Sequence, residues 1–259
     1  MTDPFSRPSA MKPTTHLHRA LRKRVEKAIF DFKMIENGDR ILIGVSGGSD
    51  SLALLKMFHD GLALAPKQFS YIAVHIDMGF EDPSPQLWET LEQHFQSIQV
   101  AYKIVHTKIA ELALDPNAKK NPCFICAHNR RRKIYEIAHE LGCNKIAYGH
   151  HKDDIVETLL INILYGRRIE AMSPIQSVFQ ERMHIIRPFS YIEEELIKQF
   201  AAESNLPVAP KLCAMDGNSR RDTVKQMIAR IQAQEKNQNI RENIFKSLRH
   251  VNMDIPFPE

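Results

Sequence analysis

Short, almost wholly apolar runs recur along the chain, separated by stretches whose apolar positions return every three or four residues. The runs are residues 41–45, 71–77, 102–106, 145–150 and 183–189. Their β-branched content predicts strands, and the first in particular reads as buried on both faces, the habit of parallel sheets. Helical spacing predicts a helix over 17–35, with Leu21, Val25, Ala28, Ile29 and Phe32 as its apolar stripe. Further helices are predicted to start at Leu52, to cover 85–98, to run through Ile134, Ile137, Ala138 and Leu141, to cover 192–204, and to recur within 221–251. Strand, helix, strand, helix at these intervals predicts an α/β fold: a doubly wound, mainly parallel sheet with helical N- and C-terminal extensions. A single domain is expected over 17–251, with a flexible tail over 1–16 and an irregular one over 252–259.

The first strand runs into Ser46-Gly47-Gly48-Ser49-Asp50-Ser51 and then the apolar Leu52-Ala53-Leu54-Leu55. Two glycines let the backbone turn sharply and approach a ligand without Cβ interference. The following helix aims its unpaired N–H groups and the positive end of its dipole at the loop, which makes an anion site, with phosphate the usual anion. Neither G-x-x-x-x-G-K-[ST] nor G-x-G-x-x-G is present. The run does resemble the PP-loop (S-G-G-x-D-S) of the ATP pyrophosphatases, an adenine nucleotide alpha-hydrolase-like fold. The resemblance implies that Ser46, Gly47, Gly48, Ser49 and Ser51 hold ATP phosphates and that Asp50 lies near the reacting phosphates through Mg²⁺. The second strand ends in His75-Ile76-Asp77 at the sheet's carboxyl edge, where doubly wound sheets bind ligands. The resemblance implies adenine or ribose contacts for His75 and Asp77; a turn cap before Gly79 is the other reading of Asp77.

Composition narrows the class. The chain has 259 residues, 43% hydrophobic and 25% charged, as in ordinary globular proteins. No apolar run approaches bilayer length, and residues 1–18 lack a signal-peptide core, so a cytoplasmic location without membrane attachment is expected. The four cysteines then sit in a reducing compartment, where metal binding or catalysis outranks disulfides. Cys123-Phe124-Ile125-Cys126 can place two sulfurs on one centre, a tight turn bringing them together. Cys213 is isolated, and Cys143 reads as a small core residue. Three thiolates (Cys123, Cys126, Cys213) suit an iron–sulfur cluster with one open iron, yet spacing alone leaves an incomplete zinc site or unrelated thiols equally open. A net charge of +4 permits nucleic-acid binding without demanding it. Arg130, Arg131, Arg132 and Lys133, directly after the cysteine pair, are either an RNA contact or a solvated helix face.

The fourth strand leads into Gly149-His150-His151-Lys152-Asp153-Asp154, with Glu157, Thr158 and Leu159 beyond. Acidic residues at a helix start are favoured by the dipole, so capping alone would account for them. Together with Gly149 the run matches a second signature of PP-loop enzymes that modify tRNA. Then Pro122-Cys-x-x-Cys126-Ala127 with its arginine run, Tyr165-Gly166, Met172-Ser173-Pro174, Arg187-Pro188-Phe189, Cys213, Arg221 and Glu242-Asn243-Ile244-Phe245 follow in order. The chain is thereby similar to the tRNA 2-thiocytidine synthetase family over nearly its whole length. The resemblance implies a homodimeric enzyme that uses ATP, Mg²⁺ and a [4Fe-4S] cluster on Cys123, Cys126 and Cys213. It would adenylate the C2 oxygen of an anticodon-loop cytidine and replace it with sulfur from a donor such as a cysteine desulfurase. It also implies ATP contacts from Gly149, Asp153 and Asp154, Mg²⁺ contacts from Asp50 and Asp154, and tRNA contacts from Arg130, Arg131, Arg132 and Lys133. The chain departs from the family pattern at Ser49, where a lysine is usual, and before Cys213, where the first cysteine of a pair is missing. Two other readings stay open. One is a PP-loop enzyme with a different nucleophile or base, forming lysidine or thiouridine; the other is a non-catalytic RNA- or metal-binding relative.

Overall fold

The computed structural model describes residues 4–9, 15–62, 68–80, 87–115, 117, 119–210 and 219–251. They fall into two compact units.

The larger unit takes in the chain up to His151 and resumes at Pro174. Its elements before the break are α1 (His16–Asp31), β1 (Arg40–Gly44), α2 (Ser49–Asp60), β2 (Ser70–Asp77), α3 (Leu87–Ser97), β3 (Tyr102–His106), α4 (Ile109–Leu114), α5 (Pro122–Glu140) and β4 (Lys145–Ala147). α6 (Lys152–Gly166) belongs to the smaller unit, and β5 (Ile175–Val178), β6 (Met183–Ile186) and α7 (Glu194–Glu203) complete the larger one. The sheet order is β3-β2-β1-β4-β6-β5, with every pairing parallel except β5 on β6. The expected doubly wound, mainly parallel sheet is therefore what forms.

Both sheet faces are buried, as the apolar runs require. Ile41, Ile43, Tyr71, Ala73 and Ala147 face one core, built with α1, α2, α3 and α7. Leu42, Ile72, Val74, Ile76 and Ile146 alternate to the opposite core, built with α4 and α5. Four side chains of α2, Leu52, Leu54, Leu55 and Phe58, are fully buried. At about 1.5–3 kcal/mol each, they fix where the helix begins and hence where its N-terminus points.

Several sequence expectations need adjustment. The helix expected over 17–35 stops at Asp31, because Lys33 takes a left-handed φ of 49°. Within the stretch expected as a flexible tail, Ser6 exchanges backbone hydrogen bonds with Tyr71 and Phe5 is buried beneath the Arg40 guanidinium. The cysteine pair lies not in a turn before a helix but within the first two turns of α5: Pro122 is helical, and the Asn121 side chain caps by accepting from the Cys123 N–H at 2.9 Å. The antiparallel edge strand β5 and the short α4 were not anticipated. Residues 252–259 and Cys213 lie outside the described residues.

The smaller unit comprises α6, α8 (Arg220–Gln234) and α9 (Ile240–Ser247). Val156, Val224 and Ile228 are its buried centre, with Leu160, Ile161, Ile240, Ile244 and Phe245 packed against them. A capping box between Ser219 and Asp222 starts α8.

Candidate active site

Strand order reverses between β1 and β4: from β1 the chain winds outward to β2 and β3, and from β4 to β6. At such a switch point the loops leaving two adjacent strands splay apart and leave a crevice at their carboxyl ends. Here those loops are 45–48, after β1, and 148–151, after β4.

The first loop is built to present backbone. Gly47 has φ +89°, and a Cβ there would sit 2.9 Å from Leu87 Cδ1. Ser51 Oγ donates to the Gly48 carbonyl at 3.0 Å, accepts from the Ser46 N–H at 3.1 Å and lies 3.2 Å from Ser46 Oγ. These bonds close the loop on itself. Gly48 is the N-cap of α2 and supplies no side-chain cap, so the helix start is left for an external acceptor. Ser49 Oγ donates to Asp50 Oδ1 at 3.0 Å. His151 Nε2 stands 3.9 Å from Asp50 Oδ2.

The second loop presses against the first. A Cβ on Gly149 would lie 2.7 Å from both the carbonyl carbon and oxygen of Asp50, and 3.1 Å from the Ser51 nitrogen. Only glycine permits this approach, and the requirement is steric, not conformational. Beyond it, His151 bridges to Phe189 next to β6. Buried Arg187 donates through Nε to His150 Nδ1 at 3.4 Å and through Nη2 to Gln176 Oε1 at 3.2 Å. Burial pushes the Tyr148 hydroxyl up to about 12, Tyr135 adding to the rise, against the opposing pull of Arg130, Arg131 and Arg187. Tyr148 therefore stays a neutral hydroxyl at physiological pH.

His75 and Asp77, expected at adenine or ribose, sit at the end of β2. His75 is buried and donates through Nδ1 to the Val45 carbonyl at 2.8 Å, bracing the start of the glycine loop. Burial holds its basicity below the ordinary imidazole range, although the Val45 bond and Asp77 act in the opposite direction. Asp77 accepts from the Gly79 N–H at 3.0 Å, the turn cap that the sequence also allowed, and from His106 Nδ1 at 2.8 Å.

The arginine run splits in two. Arg132 and Lys133 both pair with Glu136, at 2.9 and 3.2 Å. Arg130 and Arg131 instead act on Tyr148, beside the second loop. Cys123 is exposed and Cys126 half-buried, one helical turn apart on α5, a spacing that lets two thiolates reach one centre. Cys143 is buried in the core as expected, and burial pushes its thiol up to about 12.

Asp153 and Asp154, expected near ATP and Mg²⁺, begin α6 in the smaller unit. Arg241 pairs with Asp153 at 3.0 Å, and Arg221 pairs with Asp154 and reaches Glu157 at 3.3 Å. Lys225 lies 3.8 Å from Glu157, and Lys152 pairs with Glu242. The acidic turn thus holds α8 and α9 through ion pairs that sequence reading missed, since the partners lie 64 to 90 residues apart. Glu157 is 2% exposed, and burial pushes its carboxyl up to about 7 from 4.5, against Lys225 and Arg221. A carboxyl whose folded pKa lies above its unfolded value contributes fully below the unfolded pKa and loses that contribution as pH rises through the folded one. Thermal melts should therefore show stability falling between about pH 4.5 and 7 by up to about 3 kcal/mol from this group, and Glu157→Gln should flatten that part of the profile.

A family model described as the PP-loop domain matches residues 13–232. Among curated proteins, the tRNA-cytidine(32) 2-sulfurtransferase of Nitrosospira multiformis is 38% identical over 91% of this chain and 78% of its own length. That of Pectobacterium carotovorum is 38% identical over 82% and 68%. Among solved structures, the U34-tRNA thiolase NcsA from Methanococcus maripaludis with its [4Fe-4S] cluster superimposes with a TM-score of 0.73 at 20% identity, covering 91% of this chain and 80% of that one.

Proposed function

The chain belongs to the PP-loop domain family and to that of the tRNA-cytidine(32) 2-sulfurtransferases, and from that premise we propose how its residues thiolate tRNA. The protein is an ATP-dependent tRNA sulfurtransferase. The observation that carries the mechanism is the uncapped start of α2 behind Ser46–Gly48, with Gly149 packed on the Asp50 backbone.

A cytidine C2 oxygen is a poor leaving group. It attacks the α-phosphorus of ATP, a P–O bond breaks, and pyrophosphate departs. Ser46, Gly47, Gly48, Ser49 and Ser51 hold the departing phosphates through the loop's N–H groups, hydroxyls and the helix dipole. Asp50, in the first turn of α2, would offer a hard oxygen ligand to Mg²⁺, which when bound would neutralise charge on those phosphates. Asp154 suits that metal less well, because Arg221 already occupies its carboxylate. His75 braces the loop through the Val45 carbonyl, and Asp77, at the end of the same strand, is the proposed ribose contact. A sulfur nucleophile then attacks C2, and the bond to the AMP oxygen breaks. Cys123, Cys126 and Cys213 are the proposed ligands of a [4Fe-4S] cluster, which when bound would offer an open iron to carry that sulfur. The two described thiols fit such a group in softness and spacing. Arg130 and Arg131 hold tRNA phosphates near the crevice; Arg132 and Lys133, tied to Glu136, contribute less. An anticodon-loop base leaves its stack more cheaply than a paired one, so the substrate can reach the crevice. The enzyme acts in the cytoplasm as a homodimer, with sulfur delivered by a cysteine desulfurase or similar donor.

Pyrophosphate release from ATP by the anaerobically reconstituted protein tests this reading. Release should depend on unmodified tRNA and fall at least a hundredfold in Asp50→Asn. Undiminished release in that variant would overturn the proposed phosphate site.

A further inference from the structure

The far end of α6 carries an exposed surface that the reaction described above does not use. Leu164 and Tyr165 are 51% and 45% exposed, and Ile169, just past the helix, is 68% exposed. Arg220, the first residue of α8, places its guanidinium 4.9 Å from the Tyr165 ring centroid. Arg167 holds a left-handed φ of 54°, rare for a side chain of that size. Asn162 fixes this loop: its side chain donates to the Glu170 carbonyl at 2.7 Å and accepts from Arg168 at 3.3 Å, and its carbonyl accepts from the Arg168 N–H at 3.3 Å. Arg168 also pairs with Glu170 at 3.1 Å, the only carboxylate in residues 158–173. The loop held in this way places exposed Arg167 and Arg168 two and three residues beyond Tyr165, whose ring the Arg220 guanidinium faces.

We propose that Tyr165, Arg167, Arg168 and Arg220 form a second RNA-contact surface, which stacks an unpaired nucleotide of the substrate tRNA on Tyr165 and neutralises its flanking phosphates. This rests on the reading of tRNA as substrate. An exposed aromatic ring faced by one guanidinium, with further arginines a few residues along the chain, is an arrangement that grips single-stranded nucleic acid: the ring accepts any base face, and the arginines follow the backbone. The central part of a protein–protein interface is, by contrast, depleted in charge.

Binding of unmodified substrate tRNA to the full-length protein, measured at several salt concentrations, tests the surface. The double variant Arg167→Glu/Arg220→Glu should bind at least tenfold more weakly, with a salt slope reduced by about two. Arg230→Glu/Lys236→Glu, an equal charge change on exposed residues elsewhere in the unit, should change affinity less than about threefold. Tyr165→Ala should weaken binding by about tenfold and Tyr165→Phe should restore it, because stacking needs the ring and not the hydroxyl. Circular dichroism establishes that each variant is folded, and the Tyr165 pair decides the matter if the double reversal is not. Unchanged affinity in the double reversal and in Tyr165→Ala, with loss in Arg130→Glu/Arg131→Glu, overturns this surface and leaves the tRNA reading standing. A wild-type protein that binds no tRNA overturns both. Loss of a dimer with tRNA affinity unchanged assigns the face to a second copy of the chain and overturns the RNA proposal.

Discussion

Cys123→Ala should abolish tRNA thiolation, leaving less than about 1% of the wild-type rate, and should remove the broad visible absorption of the anaerobically reconstituted protein. The expectation follows from what Cys123 touches. It is exposed at the start of α5, its backbone N–H is satisfied by Asn121, and no core contact depends on its side chain. The fold and the ATP loop should therefore survive, and the melting temperature should stay within a degree or two of the parent. Cys143 is the natural control. Its thiol is buried among Leu42, Ile137, Ile146 and Met183, and burial pushes it up to about 12, so it stays a protonated, apolar filler. Cys143→Ala should cost about 1 kcal/mol of stability and leave thiolation intact. The reverse pattern, with activity following Cys143, would remove α5 from the chemistry.

Gly149→Ala should be nearly as damaging, by a different route. The added methyl would stand 2.7 Å from the Asp50 carbonyl carbon and oxygen, which are backbone atoms that no rotamer change can move aside. The loop after β4 and the start of α2 must then separate. Forced repacking of this kind costs about 1–3 kcal/mol, which lowers the melting temperature by a few degrees. The kinetic loss should be larger, because the N–H groups meant for the departing pyrophosphate move with the helix. A displacement of that size costs about a hundredfold in rate. Pyrophosphate release and ATP affinity measured on the folded variant check it; near-normal turnover would mean that the two loops do not act as one site.

Much of this site was legible in the sequence because its signals are local. Residues 41–45 are apolar throughout since both faces of β1 are covered, and the Ser/Gly loop follows directly on the helix whose start it shapes. The family resemblance then added chemistry that the residues alone left open. What was not legible depends on distant partners. Nothing near Asp154 in sequence announces Arg221, and nothing near Asp153 announces Arg241, so the ion pairs these two carboxylates make with α8 and α9 could not be read from the sequence. Arg187 and His150 meet only because β6 lies beside β4. The edge strand β5 escaped notice because Ile175-Gln176-Ser177-Val178 is short and half polar, as an exposed edge should be. The helical start at Pro122 was readable from Asn121-Pro122, a cap followed by proline at the first helical position, but the cysteine spacing suggested a turn instead. Cys213, on which the third thiolate depends, lies outside the described residues.

Mass spectrometry of tRNA nucleosides from a strain lacking this protein, with and without the gene restored, tests the central claim most directly. The account predicts that 2-thiocytidine disappears from position 32, returns with the wild-type chain, and does not return with Cys123→Ala or Asp50→Asn. A deletion strain whose tRNA keeps its 2-thiocytidine, or which loses a different modified base instead, would contradict it.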